Sequence, residues 1–212
     1  MDKETARIEA FSDGVFAIAI TLLVLELKIP HESDVGEVAL STLLLRQWPA
    51  YVSFVISFAF IGIMWINHHR LFNHIKRADN TLMILNLLLL MGVTAVPFPT
   101  AILSQHLGHF DDRLAALVFN GTYVVIAIVF NVLWRYAVHE GRLLGHDADL
   151  TTIEHITKQY AFGPLLYLAS FGLAWINVAA SLALSFGLAI FFALPPHVAT
   201  RPHHRGPGAE RS

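Results

Sequence analysis

The chain has 212 residues, of which 55% are hydrophobic and only 14% charged, with a mean hydropathy of +0.57 and a formal net charge of −2. A soluble domain is about 45–50% apolar and about 25% charged, so this composition excludes one, and the near-neutral charge excludes the global basic signal of a nucleic-acid binder. The absence of cysteine excludes disulfides, thiolate metal sites and cysteine nucleophiles.

Taken in chain order, the first apolar stretch runs from about Ala6 to Leu27. The mixed-charge "MDKETARIEA" before it, and the lack of a small-residue cleavage site after it, predict a retained span rather than a signal peptide. The segment "IPHESDVGEVALSTLLLRQW" predicts an amphipathic outer helix around Glu37 to Leu45. Further spans are predicted over Trp48–Leu71, Thr81–Leu103 and Leu114–Tyr136.

A polar loop, "VHEGRLLGHDADLTT", follows, with Thr151 and Glu154 in capping-box spacing at the start of the next helix. The last apolar block, Tyr160 to Leu194, would make one helix of about 52 Å against a bilayer core of about 30 Å. Two shorter spans with a turn near Trp175–Val178 fit better, and Gly163–Pro164 is a candidate kink.

Six spans with both termini cytoplasmic agree with the charges. Of the 14 Lys and Arg residues, only Lys28, Arg46 and Arg113 then fall outside. The expected architecture is therefore an all-α membrane protein. Residues 1–196 form one six-span domain, and 197–212 a basic, disordered cytoplasmic tail.

The first span carries two kinds of residue. At about 100° per residue, Leu22 and Leu25 lie within about 40° of Ile18, and Thr21 about 60° away on the flank. Ser12 and Asp13 lie about 120° and 140° away and face elsewhere. The Ile18/Leu22/Leu25 line alone is also what helix packing or lipid contact produces. A carboxylate in hydrocarbon costs about 2.5–3.5 kcal/mol, so Asp13 needs partners or a place near the inner interface. Candidates are Arg7 and the inner end of the second span, "WINHHRLF", with Trp65, Asn67, His68, His69 and Arg70. The simplest reading of Asp13, His68 and His69 is a structural polar lock. Adjacent helical histidines diverge by about 100° and suit a single metal poorly.

These residues bring a family into view. "RIEAFSDGVFAIAITLLVL", with Arg7, then Phe11-Ser12-Asp13, then the Ile-x-x-Thr-Leu-x-x-Leu line, resembles the first helix of the transmembrane protein 175 family, and "WINHHRLF" resembles its Trp/His segment. The resemblance implies a single-repeat bacterial potassium channel: a homotetramer of six-span subunits in the plasma membrane, whose first helices line a central pore. It implies Ile18 as the constriction, Leu22 and Leu25 as the apolar neck, and Thr21 as the hydroxyl ring favouring potassium. Arg7, Phe11, Ser12 and Asp13 would form the holding network, with Trp65, His68 and His69 as partners. Potassium would pass Ile18 and Thr21 without a fixed metal site, and no cofactor is expected.

Physical reasoning runs the same way. A ring of isoleucines closes a narrow pore by excluding water, and without a carbonyl cage selectivity is expected to be weak. Glu26, Glu32, Asp34 and Glu37 near the outer mouth either concentrate cations or are ordinary solvated charges. The alternative from another class is a proton-coupled secondary transporter using Asp13 and nearby histidines, although the first helix lacks the break common in such proteins. An enzyme is not expected: His31, His106, His109, His139, His146, His197, His203 and His204 fall in loops or termini.

Overall fold

The computed structural model describes residues 3–28, 39–110, 112–145 and 148–194. The acidic residues Glu32, Asp34 and Glu37, the histidines His31 and His146, and the tail 197–212 lie outside the described residues.

Helix α1 covers Lys3–Leu22 and tightens into a 3-10 turn over Leu23–Glu26, closed by the Leu27 amide on the Val24 carbonyl at 3.0 Å. The short α2, Leu40–Arg46, has no buried side chain. The expected start at Glu37 lies outside the described residues, and Leu40, Leu44 and Leu45 of the helix are exposed. Helix α3, Trp48–His74, takes Pro49 in its first turn, where the missing N–H costs nothing. Helix α4, Asn80–Ala95, is capped by Asp79, whose carboxylate accepts the Leu82 amide at 2.8 Å.

The expected third span runs as Asn80–His106 with a kink: Val96 keeps helical angles between α4 and α5, which covers Pro97–His106. Pro97 has no N–H, and its ring crowds the carbonyl four residues back, so a straight helix cannot continue there. Helix α6 covers Asp112–Val138 and ends in a tight turn in which Glu140 and Gly141 take φ of 55° and 66°.

Helices α7, Leu150–Leu173, and α8, Val178–Ala193, form the closing hairpin, with Asn177 capping α8 through the Ala180 amide. The expected Thr151–Glu154 capping box does not form. Asp149 is the cap, taking the Thr151 amide at 3.0 Å and the Thr152 hydroxyl at 2.6 Å. Glu154 instead pairs with Lys158 one turn on, at 2.7 Å. Pro164 does lie inside α7. It leaves the Tyr160 carbonyl without its helical donor, and the Asn131 amide of α6 fills that place at 2.6 Å.

Among the described residues, four helical segments are long and apolar enough to cross a membrane: Glu4–Glu26, Trp48–His74, Asn80–His106 and Asp112–Gly141. Helix α8 has 16 residues, or about 24 Å. Helix α7 opens on polar turns containing Glu154, His155 and Lys158.

The core is aromatic where α3, α6, α7 and α8 meet. Phe60 stacks on Tyr123 at 4.1 Å, and Tyr167 and Tyr160 both stack against Phe192, at 6.1 and 6.4 Å. Against this body α1 lies on α3 and α4. At the α3–α4 end, the linkers clasp each other: Ile75 pairs with Leu144, and the Lys76 amide donates to the Leu143 carbonyl at 2.8 Å.

Candidate functional site

Helix α1 has two opposed faces. Thr5, Ser12, Phe16, Ala19 and Leu23 repeat at helical spacing and are all essentially buried. Phe11, Ile18, Leu22 and Leu25 repeat on the other side and are 58%, 60%, 41% and 70% exposed. Arg7, Gly14 and Thr21 belong to the same open face. An apolar helix face is left bare only where lipid or another copy covers it.

The 3-10 turn sharpens the alignment. In that geometry residues i and i+3 eclipse, so Leu25 sits over Leu22 instead of drifting away. The Thr21 hydroxyl donates to the Ile18 carbonyl at 2.8 Å, leaving its oxygen lone pairs available on the open face. The face therefore offers four apolar side chains (Phe11, Ile18, Leu22 and Leu25), the Arg7 guanidinium and a hydroxyl oxygen. It has no general acid, base or nucleophile.

Behind it, a polar clamp fixes α1 to α3 and α4. Trp65 donates its indole N–H to Asp13 Oδ1 at 2.8 Å. His69 Nδ1 meets Glu9 at 2.7 Å. Ser12 donates to the Ile8 carbonyl at 2.8 Å and accepts from the Asn86 amide at 3.0 Å, while Asn86 Oδ1 lies 2.9 Å from His68 Nε2. The directions are forced. The Ser12 proton is spent on Ile8, so Asn86 must donate to Ser12, which leaves its oxygen to accept from His68 Nε2–H. His68 is fully buried, and its other nitrogen, Nδ1, has no partner. Its ring is held between Phe72, stacked at 4.4 Å, and Phe16 at 5.5 Å.

Ser12, Asp13, Trp65, His68 and His69 are thus brought together. Arg7 and Phe11 are not. Both stand on the open face, and among the described residues Arg7 has no hydrogen-bond partner within the chain. Arg70 does not reach Asp13 either. Its guanidinium caps the end of α8, donating to the carbonyls of Ala193 at 2.5 Å and Phe192 at 3.5 Å.

Sequence reasoning missed Asn86 and Glu9. The signal for Asn86 was a single amide in the leucine run "ILNLLLL"; for Glu9 it was a position one turn before Asp13, on the same face. Among the described residues, no group of three or more His, Asp or Glu could hold a metal ion.

Two open grooves flank α1. One of about 380 Å³, towards α4, is lined by Glu4, Arg7, Phe11, Met83 and Leu87. The other, of about 310 Å³ towards α3, is lined by Asp13, Ala17, Ile20, Ile61 and Trp65.

Comparison with known proteins agrees with this arrangement. The profile of the family described as "Endosomal/lysosomal potassium channel TMEM175" matches residues 7–97, which hold α1, the clamp and the hinge before α5. A potassium channel of Chamaesiphon minutus is 54% identical over 191 residues, covering 90% of this chain and 94% of that protein. A potassium channel of Streptomyces collinus is 43% identical over 192 residues, covering 89% and 91%. The crystal structure of a lysosomal potassium-selective channel TMEM175 homolog from Chamaesiphon minutus superposes with a TM-score of 0.84 at 50% identity, covering 93% of this chain and all of that one. These relatives are membrane channels and not enzymes, and the chain belongs to the TMEM175 family.

Proposed function

We propose that the protein is a potassium-permeable, weakly selective cation channel, a homotetramer whose four α1 helices meet at a central axis. The observation that carries this reading is the open α1 face. Ile18, Leu22 and Leu25 point away from their own subunit, while the opposite side of the same helix is sealed into it. The two flanking grooves give neighbouring copies a place to seat.

In that assembly the Ile18 ring is the dry constriction, and Leu22 and Leu25 extend it outward. Thr21 offers hydroxyl oxygens to a partly dehydrated ion. Four rings of neutral side chains bind an ion weakly, so discrimination is modest and rests on Thr21. Each subunit crosses the bacterial plasma membrane six times, with α7 and α8 as the shorter last pair and both termini cytoplasmic. The Lys and Arg distribution supports that orientation.

The clamp is the structural partner of the pore. It holds α1 in rotation so that the apolar face stays on the axis. It also weighs against the transporter alternative. Asp13 is engaged by Trp65, His68 by Asn86 and His69 by Glu9. A relay from Asp13 to a histidine would first have to break these bonds.

Single-channel recording in planar bilayers tests the reading. With Ile18→Asn the neck should wet, and the open probability at rest should rise. Unchanged unitary currents and open probability would remove Ile18 from the constriction. The absence of unitary steps in the unaltered protein would favour a transporter.

A further inference from the structure

Glu4 and Arg7 are exposed charges near the start of α1, one and two turns before Phe11. A carboxylate and a guanidinium three residues apart on a helix are neighbours and commonly pair. These two do not. Among the described residues the ion pairs are His69–Glu9, His139–Glu140 and Lys158–Glu154. Both charges instead line the groove of about 380 Å³ between α1 and α4, whose walls are otherwise largely apolar and include Phe11, Met83 and Leu87.

The helical period places the two charges on opposite flanks. At about 100° per residue, Arg7 lies about 20° to one side of the line through Ile18, and Glu4 about 40° to the other. A cyclic ring is built from heterologous contacts, in which one flank of each copy meets the opposite flank of the next. With Ile18 turned to the axis, Glu4 of one copy therefore leans towards the neighbouring copy's Arg7. The two stand within about 4.5 Å of each other along the helix axis, less than one turn.

We propose that Glu4 of each copy holds Arg7 of the next, closing a ring of four inter-subunit ion pairs at the cytoplasmic mouth. The inference rests on the homotetramer proposed above and names the contact that sets its register. The groove beside Glu4 receives the incoming guanidinium, and its apolar walls cover the methylene stem behind it. Such a pair contributes little to affinity when exposed, but it fixes register and makes a wrong pairing of like charges costly. The ring lies about 16 Å inward of Ile18. The clamp thus holds α1 against its own subunit, and the ring holds it against the neighbour. Four carboxylates and four guanidiniums also cancel, which leaves the mouth neutral to an arriving potassium ion.

The chain has no cysteine, so introduced ones are its only thiols. Full-length Glu4→Cys and Arg7→Cys chains are co-expressed and treated with a short bismaleimide, whose span matches that of a Glu–Arg pair. On denaturing gels the mixture should give several-fold more cross-linked dimer than either variant alone, because only the mixture sets the two thiols across one interface. In a second arm, Glu4→Arg or Arg7→Glu brings like charges together at all four contacts and should lower the tetramer fraction on size exclusion. The exchange of both, Glu4→Arg with Arg7→Glu, should restore it. No excess of dimer in the mixture, or an exchange no better than the single reversals, would overturn the ring. Tetramers and unitary currents of the unaltered protein then leave the channel reading standing. Unaltered chains that elute as monomers and carry no unitary currents would overturn that reading, and the ring with it.

Discussion

The indole of Trp65 donates to the carboxylate of Asp13 at 2.8 Å, joining α3 to the one acidic side chain that α1 carries a full turn or more inside its apolar stretch. The pair fixes α1 in rotation as well as position, because Asp13 lies on the flank between the sealed face and the open one. Trp65→Phe keeps the ring but withdraws the donor. A double-mutant cycle with Asp13→Leu should give a coupling of about 0.5–1.5 kcal/mol, the usual net value of such a bond. Melting in detergent, with size-exclusion on the same samples, reads both stability and assembly. A coupling near zero would assign the hold on α1 to the Ser12–Asn86 and His69–Glu9 contacts.

Thr21 is the polar member of the Ile18–Leu25 stretch of the open face, and its proton is already committed to the Ile18 carbonyl. Thr21→Val keeps the shape and removes the oxygen. The reversal potential with potassium on one side and sodium on the other should move towards zero, and Thr21→Ser should restore it. An unmoved potential would place selectivity elsewhere.

Pro164 and Asn131 form a compensated pair across α6 and α7: the proline strips the Tyr160 carbonyl of its donor, and the asparagine amide supplies one at 2.6 Å. Asn131→Leu should destabilise by about 1–3 kcal/mol by leaving a buried carbonyl bare. The same change made on a Pro164→Ala background should cost much less, because the helix then satisfies that carbonyl itself. Equal costs on both backgrounds, measured by thermal melting, would disprove the compensation.

Asn120, Ser170, Ser181 and Ser185 close a buried ring between α6, α7 and α8. Asn120 donates to Ser181 at 2.6 Å and accepts from Ser185 at 2.7 Å, while Ser170 and Ser181 exchange hydroxyl-to-carbonyl bonds at 2.8 and 2.7 Å. Asn120→Leu leaves two hydroxyls without their partner and should lower stability by about 1–3 kcal/mol. Replacing Ser181 and Ser185 by alanine as well should recover part of that loss. Hydrogen exchange localised to α8 is the measurement that separates this from a global effect.

Asp79 gives a pH dependence. Burial pushes its carboxyl up, but the Tyr136 hydroxyl at 2.6 Å, the Leu82 amide and nearby Arg142 outweigh this and hold it below its ordinary value. A depressed folded-state value means the contribution is complete above the unfolded value of about 3.9 and is lost as pH falls through the lower folded value. Melting temperature should therefore drop less steeply below about pH 4 in Asp79→Asn than in the unaltered protein. Identical acid limbs would show that the cap contributes no proton-linked stability.

Helical periodicity made much of this legible in advance. The spans over α3 and α6 and the turn before α8 follow from runs of apolar residues and their interruptions. The separation of Ile18, Leu22 and Leu25 from Ser12 and Asp13 follows from 3.6 residues per turn. The kink at Val96 is hidden in the hydropathy of Thr81–Leu103, because Pro97 and Pro99 interrupt the helical hydrogen bonds without interrupting the apolar run. The Thr151–Glu154 box does not form because Asp149, two residues before Thr151 and directly before the helix, carries the stronger acceptor.

Local sequence determined that the chain is a set of apolar helices, where their polar residues fall, and which of those share a face. It could not determine which helix each face would meet. Asn86 is 74 positions from Ser12 and Trp65 is 52 from Asp13, and only the packing of α1 onto α3 and α4 brings them within bonding distance. The same packing turned Arg70 to the end of α8 and left Arg7 and Phe11 on the open face. A helix's period fixes angles about its own axis; its azimuth against its neighbours is set by the summed burial of all the others.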